Sequence, residues 1–168
     1  LMRSRSSAFS MRSLAQELEH AGIEVVSPEL RGARSVPSAM RWLVRHMRSL
    51  EPDVVSTWMY HADLIGGLAA KFAGINAVAW NIRNSDLSRK NSSASTRAIV
   101  RANALLSRRV PRRILCCSER AMQVHVALGY DPKRFELLPN GFDLSLFHPD
   151  ALARSAVRTE LGVDADAP

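Results

Sequence analysis

Residues 135–149 read Phe135-Glu136-Leu137-Leu138-Pro139-Asn140-Gly141-Phe142-Asp143-Leu144-Ser145-Leu146-Phe147-His148-Pro149. A short apolar strand runs into a proline. Pro139 has no backbone N–H and cannot continue a central ladder, so the strand is expected to stop there. Asn140-Gly141 is the pair best suited to a turn that needs positive φ. Gly141 carries no Cβ, so a ligand can approach the backbone closely. In α/β sheets the binding crevice lies at such strand ends. A lone Asn-Gly is also what any ordinary turn looks like, so its meaning depends on what precedes it.

What precedes it is a regular alternation of strands and helices. Residues 7–21 read as a helix, with Met11, Leu14, Leu18 and Ala21 on one face and Gly22 closing it. Residues 23–27 read as a short strand. Residues 38–50 form a second helix, with Met40, Leu43, Val44 and Met47 in register, broken by Glu51-Pro52-Asp53. Residues 54–58 are nearly continuous in apolar and β-branched types, as a buried parallel strand should be. Asp63 is expected to cap a helix over residues 64–73, which Gly74 ends. Residues 77–80 make the next strand.

A long polar segment follows over residues 81–93. Then come a helix over residues 96–109, with Ile99, Ala102, Leu105 and Leu106 inward, and a strand over residues 113–117. Ser118 caps a helix over residues 119–128, closed by Gly129, and Asp131-Pro132 turns the chain toward Phe135. A last helix spans residues 151–161. This order predicts a Rossmann-like parallel sheet with helices on both faces. The opening helix and strand lack a strand before them, so the sheet is expected to be incomplete, its first strand lying before Leu1.

The composition sets limits. The 168 residues suffice for a domain with a proper core, and 46% are hydrophobic. No run of about 18 apolar residues is present to cross a bilayer. Residues 1–6 are basic and serine-rich, with no apolar run of signal length behind them. Cys116 and Cys117 are adjacent in an apolar run. Neighbouring cysteines are strained as a bridge, so they read as buried thiols suited to a reducing cytoplasm. No further ligands stand near them, and no metal site is expected.

The net charge is +7 and the isoelectric point is near 10.4. That balance suits an anionic partner. From Arg83 to Arg113 the basic residues are Arg83, Arg89, Lys90, Arg97, Arg101, Arg108, Arg109, Arg112 and Arg113, with only Asp86 against them. A surface of one sign fits an acidic membrane face. Nucleic acid is disfavoured, because no aromatics are interleaved for base stacking and no nucleic-acid motif occurs. Neither a Gly-Lys-Ser/Thr phosphate loop nor a Gly-x-Gly-x-x-Gly turn is present.

Four strand ends carry the candidate ligand contacts. His61 follows the strand at residues 54–58, as a hydroxyl partner or base. Asn81, Arg83 and Asn84 follow the strand at residues 77–80. There a five-donor guanidinium stands between amides, suited to phosphate or sugar hydroxyls. Ser118 and Glu119 follow the strand at residues 113–117, where Ser118 both caps a helix and leaves N–H groups for an anion. Asn140, Gly141 and Asp143 follow the strand at Phe135. Each cluster alone is also what an ordinary polar loop or helix cap looks like.

In order and spacing the chain resembles the N-terminal domain of family-4 glycosyltransferases of the GT-B fold. The residues that carry the resemblance are Leu14-Ala15-Gln16-Glu17-Leu18 with Ala21-Gly22-Ile23-Glu24-Val25, and Glu51-Pro52-Asp53-Val54-Val55-Ser56-Thr57. Ala62-Asp63-Leu64 through Leu68-Ala69-Ala70, Cys117-Ser118-Glu119, and Leu138-Pro139-Asn140-Gly141-Phe142-Asp143 with Phe147 and Pro149 complete it. The resemblance implies two Rossmann-like domains with the site in the cleft between them. The acceptor sits mainly on this half, and a nucleotide-sugar donor mainly on the other. Residues 1–150 are then the N-terminal domain. Residues 151–168 are a helix and linker toward a C-terminal donor-binding domain. The family's reaction is sugar transfer to a glycan or lipid-linked acceptor, generally with retention and without a metal or other cofactor, at the cytoplasmic face of a membrane or in the cytoplasm. Many members carry a histidine where this chain reads Asn81-Ile82-Arg83-Asn84, so Arg83 or an asparagine stands in that place. No residue is assigned as catalytic. The alternative reading is a non-enzymatic α/β module that binds an anionic partner through residues 83–113.

Overall fold

A computed structural model describes residues 14–27, 33–88, 91–164 and 167. It divides into two compact units, Leu1–Leu137 and Leu138–Pro168. In the first unit, helix α1 is seen at residues 14–20 and α2 spans Val36–Leu50. Then β1 (Val55–Trp58), α3 (Tyr60–Ala73), β2 (Val78–Ile82) and α4 (Ala94–Leu106) alternate. They are followed by β3 (Arg113–Cys116), α5 (Glu119–Ala127) and β4 (Phe135–Leu137). The four strands are parallel and lie in the order β1-β2-β3-β4. The expected Rossmann-like parallel sheet is therefore present. Because the strands are parallel, all their C-terminal ends share one edge of the layer, and all their N-terminal ends share the other.

One face of this sheet holds the core. Val78, Trp80 and Ile82 alternate inward along β2, and Ile114 and Cys116 do so along β3. Val100, Ala104, Val110, Ala121 and Tyr130 close over them. Helix α3 packs on β1 and β2, with α2 and α4 against α3, while α5 covers β3 and β4. Gly67 makes the close approach of α3 possible. A Cβ there would stand 2.7 Å from Trp80 Nε1 and 2.9 Å from Val110 Cγ1.

Several boundaries differ from expectation for identifiable reasons. Residues 23–27 form no strand among the described residues, and Ile23, Val25 and Val26 are exposed. A strand exists only where a neighbour supplies the ladder, and apolar β-branched types do not create one. Strand β1 is an edge of the described sheet, so only Thr57 of its four residues is buried, instead of a continuous run. Helix α2 starts at Val36, because Pro37 is tolerated in a first turn, and the turn of 3-10 helix at residues 33–35 leads into it. In α4 the inward residues are Val100, Asn103 and Ala104, whereas Leu105 is 81% exposed. The buried polar Asn103 hides that face from a search for apolar periodicity. Ser118 caps α5 as expected, accepting from the amide of Ala121, and in the turn expected at Asp131-Pro132 Asp131 accepts from the amide of Lys133.

The second unit holds a turn and α6 (Ala151–Glu160). Asp150 caps α6 through the amides of Leu152 (2.8 Å) and Ala153 (3.0 Å). Phe142 and Phe147 meet edge to face with centroids 6.4 Å apart.

The tight seat of Gly67 yields a direct test. Gly67→Ala should destabilise the protein by about 1–3 kcal/mol, because the methyl must displace the Trp80 indole from a filled core. Urea unfolding measures it, and a change smaller than about 0.5 kcal/mol would show that α3 can move off the sheet at little cost.

Candidate functional site

The C-terminal edge of the sheet begins with an unusual turn. After Trp58, Met59 takes φ 72° and ψ 157°, a conformation that non-glycine residues rarely adopt. Two hydrogen bonds hold it: its N–H donates to Asn81 O (3.2 Å), and its carbonyl accepts from Asp63 N (2.9 Å). The chain thus passes from β1 into α3 within one residue. Tyr60 is driven inward and His61 outward, onto the exposed first turn of the helix.

Asp63 does not cap α3, because the helix starts three residues before it. Its side chain instead turns into the interior, where it is fully buried. Asp63 Oδ1 accepts from the Thr57 hydroxyl at 2.5 Å. Burial pushes the Asp63 carboxyl up to about 7, against the lowering effect of that hydroxyl. At neutral pH it is poised between its two charge states.

A second buried network backs the same turn. Asn103 Nδ2 donates to Tyr60 O (2.9 Å). His125 Nδ1 lies 2.7 Å from Ala121 O, a group that only accepts, so Nδ1 carries the proton. Burial lowers the pKa of His125 and keeps the ring neutral. Its Nε2 is then an acceptor, and it takes the Tyr60 hydroxyl at 2.9 Å. Burial also raises the pKa of that tyrosine.

Strand β2 runs two residues further than expected, so Asn81 lies inside the sheet. It is buried, and its Nδ2 donates to Ser56 Oγ and Thr57 O, each at 2.9 Å. Asn81 therefore ties β2 to β1 and does not present its amide at the strand end. Arg83 does stand at that end. Its guanidinium carbon lies 4.7 Å from the centroid of the Trp58 ring, a cation–π contact across neighbouring strands. Asn84 is engaged by its own loop, its Oδ1 accepting from Asp86 N at 2.9 Å. Asp86 in turn accepts from Ser88 N (2.8 Å) and from the Asn91 amide, and these bonds lower its pKa.

At the end of β3, Ser118 caps α5 by accepting from Ala121 N at 3.2 Å, and Glu119 stands exposed in the first turn. Both cysteines are free thiols, with Cys116 buried and pushed up to about 11 by that burial. The structure thus gathers His61, Arg83, Asn84, Ser118 and Glu119 along three adjacent strand ends. At about 4.8 Å per strand, β1 and β3 lie about 10 Å apart. That is the scale of a sugar ring with its substituents.

Asn140, Gly141 and Asp143 belong to the second unit. Gly141 does not adopt positive φ, so Asn140-Gly141 is not the expected tight turn. The turn falls later. Asp143 O accepts from Phe147 N (2.8 Å), and Asp143 Oδ1 from Ser145 N (2.9 Å) and Ser145 Oγ (2.6 Å). An aspartate closing on the residue two ahead competes well with a glycine for turn formation. Those bonds lower the pKa of Asp143.

Sequence reading missed Trp58 as a partner for Arg83, the strained Met59 and the buried Thr57–Asp63 pair. Trp58 and Arg83 become neighbours only through the β1–β2 register, which places Trp58 beside Asn81. The run of basic residues is also divided. Arg83 stands at the C-terminal edge, whereas Arg113 opens β3 at the opposite edge. Arg89 and Lys90 lie outside the described residues. Among the described residues no three His, Cys, Asp or Glu side chains cluster to hold a metal, and no helix is long and apolar enough to cross a membrane.

The description Glycosyltransferase Family 4 matches residues 9–146. The chain belongs to this family. Among solved structures it is similar to Anabaena HepE in complex with UDP and glucose, at 19% identity and a TM-score of 0.66, covering 91% of this chain and 40% of that one. The HepE complex with UDP gives 19% identity and a TM-score of 0.68 over the same shares. A UDP-N-acetylglucosamine 2-epimerase from Rickettsia bellii gives 14% identity and a TM-score of 0.56, covering 92% of this chain and 42% of that one. At these identities the likeness is one of fold. The chain spans about 40% of the length of the HepE chain. No curated protein matches.

Asp63 sets a pH dependence of stability with a defined sign. Its pKa is about 7 in the folded protein against 3.8 in the unfolded chain. Its stabilising contribution is therefore full below pH 3.8 and is lost as pH rises through 7. Asp63→Asn holds the neutral shape at every pH. It should gain on the wild type between pH 4 and pH 8, by on the order of 1–4 kcal/mol in urea unfolding. A stability difference independent of pH would contradict the burial of Asp63 as the cause of its raised pKa.

Proposed function

We propose that this chain is the acceptor-side domain of a GT-B glycosyltransferase. In this reading the full-length enzyme transfers a sugar from a nucleotide-sugar donor to a glycan or lipid-linked acceptor. The observation that carries the reading is the cluster of polar groups at three neighbouring strand ends, with His61 and Glu119 exposed and Arg83, Asn84 and Ser118 half-buried, in a chain that belongs to glycosyltransferase family 4 over residues 9–146. HepE, similar in fold, has been solved with UDP and glucose, which supports a nucleotide-sugar as the donor. The chain spans about 40% of HepE, so the donor pocket is proposed to be completed by sequence outside this chain, as a C-terminal domain reached through residues 151–168.

The roles follow from chemistry. In sugar transfer the acceptor hydroxyl attacks the anomeric carbon and yields its proton to the departing phosphate, the bond from that carbon to the phosphate oxygen breaks, and the nucleoside diphosphate leaves as charge builds on it. Arg83 is held by Trp58 and presents rigid donors to acceptor hydroxyls or to that developing charge. His61, exposed on the first turn of α3, is proposed to hydrogen-bond the acceptor hydroxyl. Ser118 and Glu119 would hold acceptor hydroxyls at the third strand end. Asn140, Gly141 and Asp143, in the second unit, are also proposed to contact substrate. Retention at the anomeric carbon and independence of metal are part of the proposal. So is location in the cytoplasm, at the inner face of the membrane where the acceptor is lipid-linked.

The test is nucleotide release by the full-length protein across a panel of UDP- and GDP-sugars with candidate acceptors. Arg83→Ala should lower kcat/KM by about 10–100-fold, a loss of about 1.4–2.7 kcal/mol in transition-state stabilisation. The lost contact with Trp58 should cost only about 0.5–1 kcal/mol of folding stability. Chelation by EDTA should leave turnover unchanged. An Arg83→Ala protein whose activity falls only in proportion to its folded fraction would overturn the role of Arg83. Failure to turn over any nucleotide-sugar would overturn the function.

A further inference from the structure

The opposite edge of the sheet carries a concentration of basic side chains. The N-terminal ends of the strands share that edge, and each helix that returns along the sheet ends there. Lys71 lies in the last turn of α3, Asn76 just before β2, Arg112 and Arg113 at the start of β3, and Arg134 just before β4. Together with Arg109 they line one concavity of about 430 Å³. Three separate stretches of chain thus bring five cations to one place. Sequence reading saw part of this as a continuous basic surface, but it could not see Lys71 and Arg134 join it.

The cations are held in two different ways. Arg113 is paired with Glu136 and also donates to Arg112 O at 3.0 Å. Arg134 donates to Arg108 O at 3.0 Å and stands 3.8 Å from Asp131. Lys71 Nζ donates to Asn76 Oδ1 at 2.6 Å. These contacts brace the walls. Among the described residues no carboxylate pairs with Arg109 or Arg112, although both line the same hollow. Five cations stand against two carboxylates, Glu136 and Asp131, so the hollow keeps a local excess of positive charge. Cations this close repel one another, and a concave wall strengthens their field. An anion that accepts from several donors at once relieves that repulsion.

We infer that this hollow binds a phosphate-bearing group, through Arg109 and Arg112 with Lys71, Arg113 and Arg134 around them. Tetrahedral phosphate oxygens match guanidinium forks in pairs, and a diphosphate can engage both free arginines. The site lies at the edge of the sheet away from His61 and Arg83. It does not depend on the proposed sugar transfer, and the two can fail separately. The phosphate can belong to a soluble compound or to a lipid headgroup, and the same two arginines serve both.

The test uses the full-length protein in 50 mM salt, with inorganic pyrophosphate in one arm and vesicles of phosphatidylcholine with 25% phosphatidylglycerol in the other, at roughly that charge density for a cytoplasmic leaflet. Calorimetry reads the first arm and vesicle flotation the second. The wild type should bind in at least one arm. The double variant Arg109→Ala/Arg112→Ala should lose about tenfold or more of that affinity, with an unchanged melting temperature since both side chains are exposed. Loss in the pyrophosphate arm assigns the site to soluble phosphates, and loss in the vesicle arm alone assigns it to a lipid headgroup. No binding by the wild type in either arm, or binding that the double variant retains, overturns the inference.

Discussion

The hydrogen bond from Thr57 to Asp63 is the contact on which the described edge of the sheet depends. It joins the end of β1 to the first turn of α3 across a single strained residue, Met59. Asn81 adds the second tie, from β2 back to Ser56 and Thr57. An edge strand of four residues has little of its own to hold it, since three of its side chains are not buried. Buried polar bonds supply what apolar packing does not. They also fix where the backbone leaves the sheet, and so where His61 and Arg83 stand.

The same edge shows why buried and exposed polar groups have to be separated before a site is assigned. Asn81, Asp63 and Thr57 are polar and lie near a strand end, yet the Thr57 hydroxyl, Asp63 Oδ1 and the Asn81 amide nitrogen are bonded within the fold. Tyr60, Asn103 and His125 form a further internal network just behind them. The groups proposed to meet a ligand are Arg83 on Trp58, His61, Ser118 and Glu119. Rigid buried bonds beneath such polar groups are the arrangement expected where a substrate must be held in one geometry.

Much of the fold was legible because its signals are local. Gly22, Gly74 and Gly129 end helices at positive φ, and Ser118, Asp131 and Asp150 cap where their neighbours suggest. The strands at Val55, Val78, Arg113 and Phe135 stand out as short apolar runs. What failed depends on neighbours in space. Residues 23–27 have strand chemistry but no ladder among the described residues. Asp63 has the chemistry of a cap, but the helix begins earlier, at a methionine whose strain has no sequence signature. Asn140-Gly141 yields its turn to Asp143, whose side chain closes on Ser145. The contact of Arg83 with Trp58, and that of Arg134 with the basic hollow, exist only through strand register and order.

The central claim is that the strand ends near Trp58, Arg83 and Ser118 face the sugar-transfer cleft. Hydrogen–deuterium exchange on the full-length protein, with and without the nucleotide-sugar that it turns over, tests it most directly. The account predicts slowed exchange at the amides of residues 59–61, 83–84 and 118–119, whether or not residues 109–113 also respond. Protection confined to residues 109–113, or absent from all three strand ends, would contradict it.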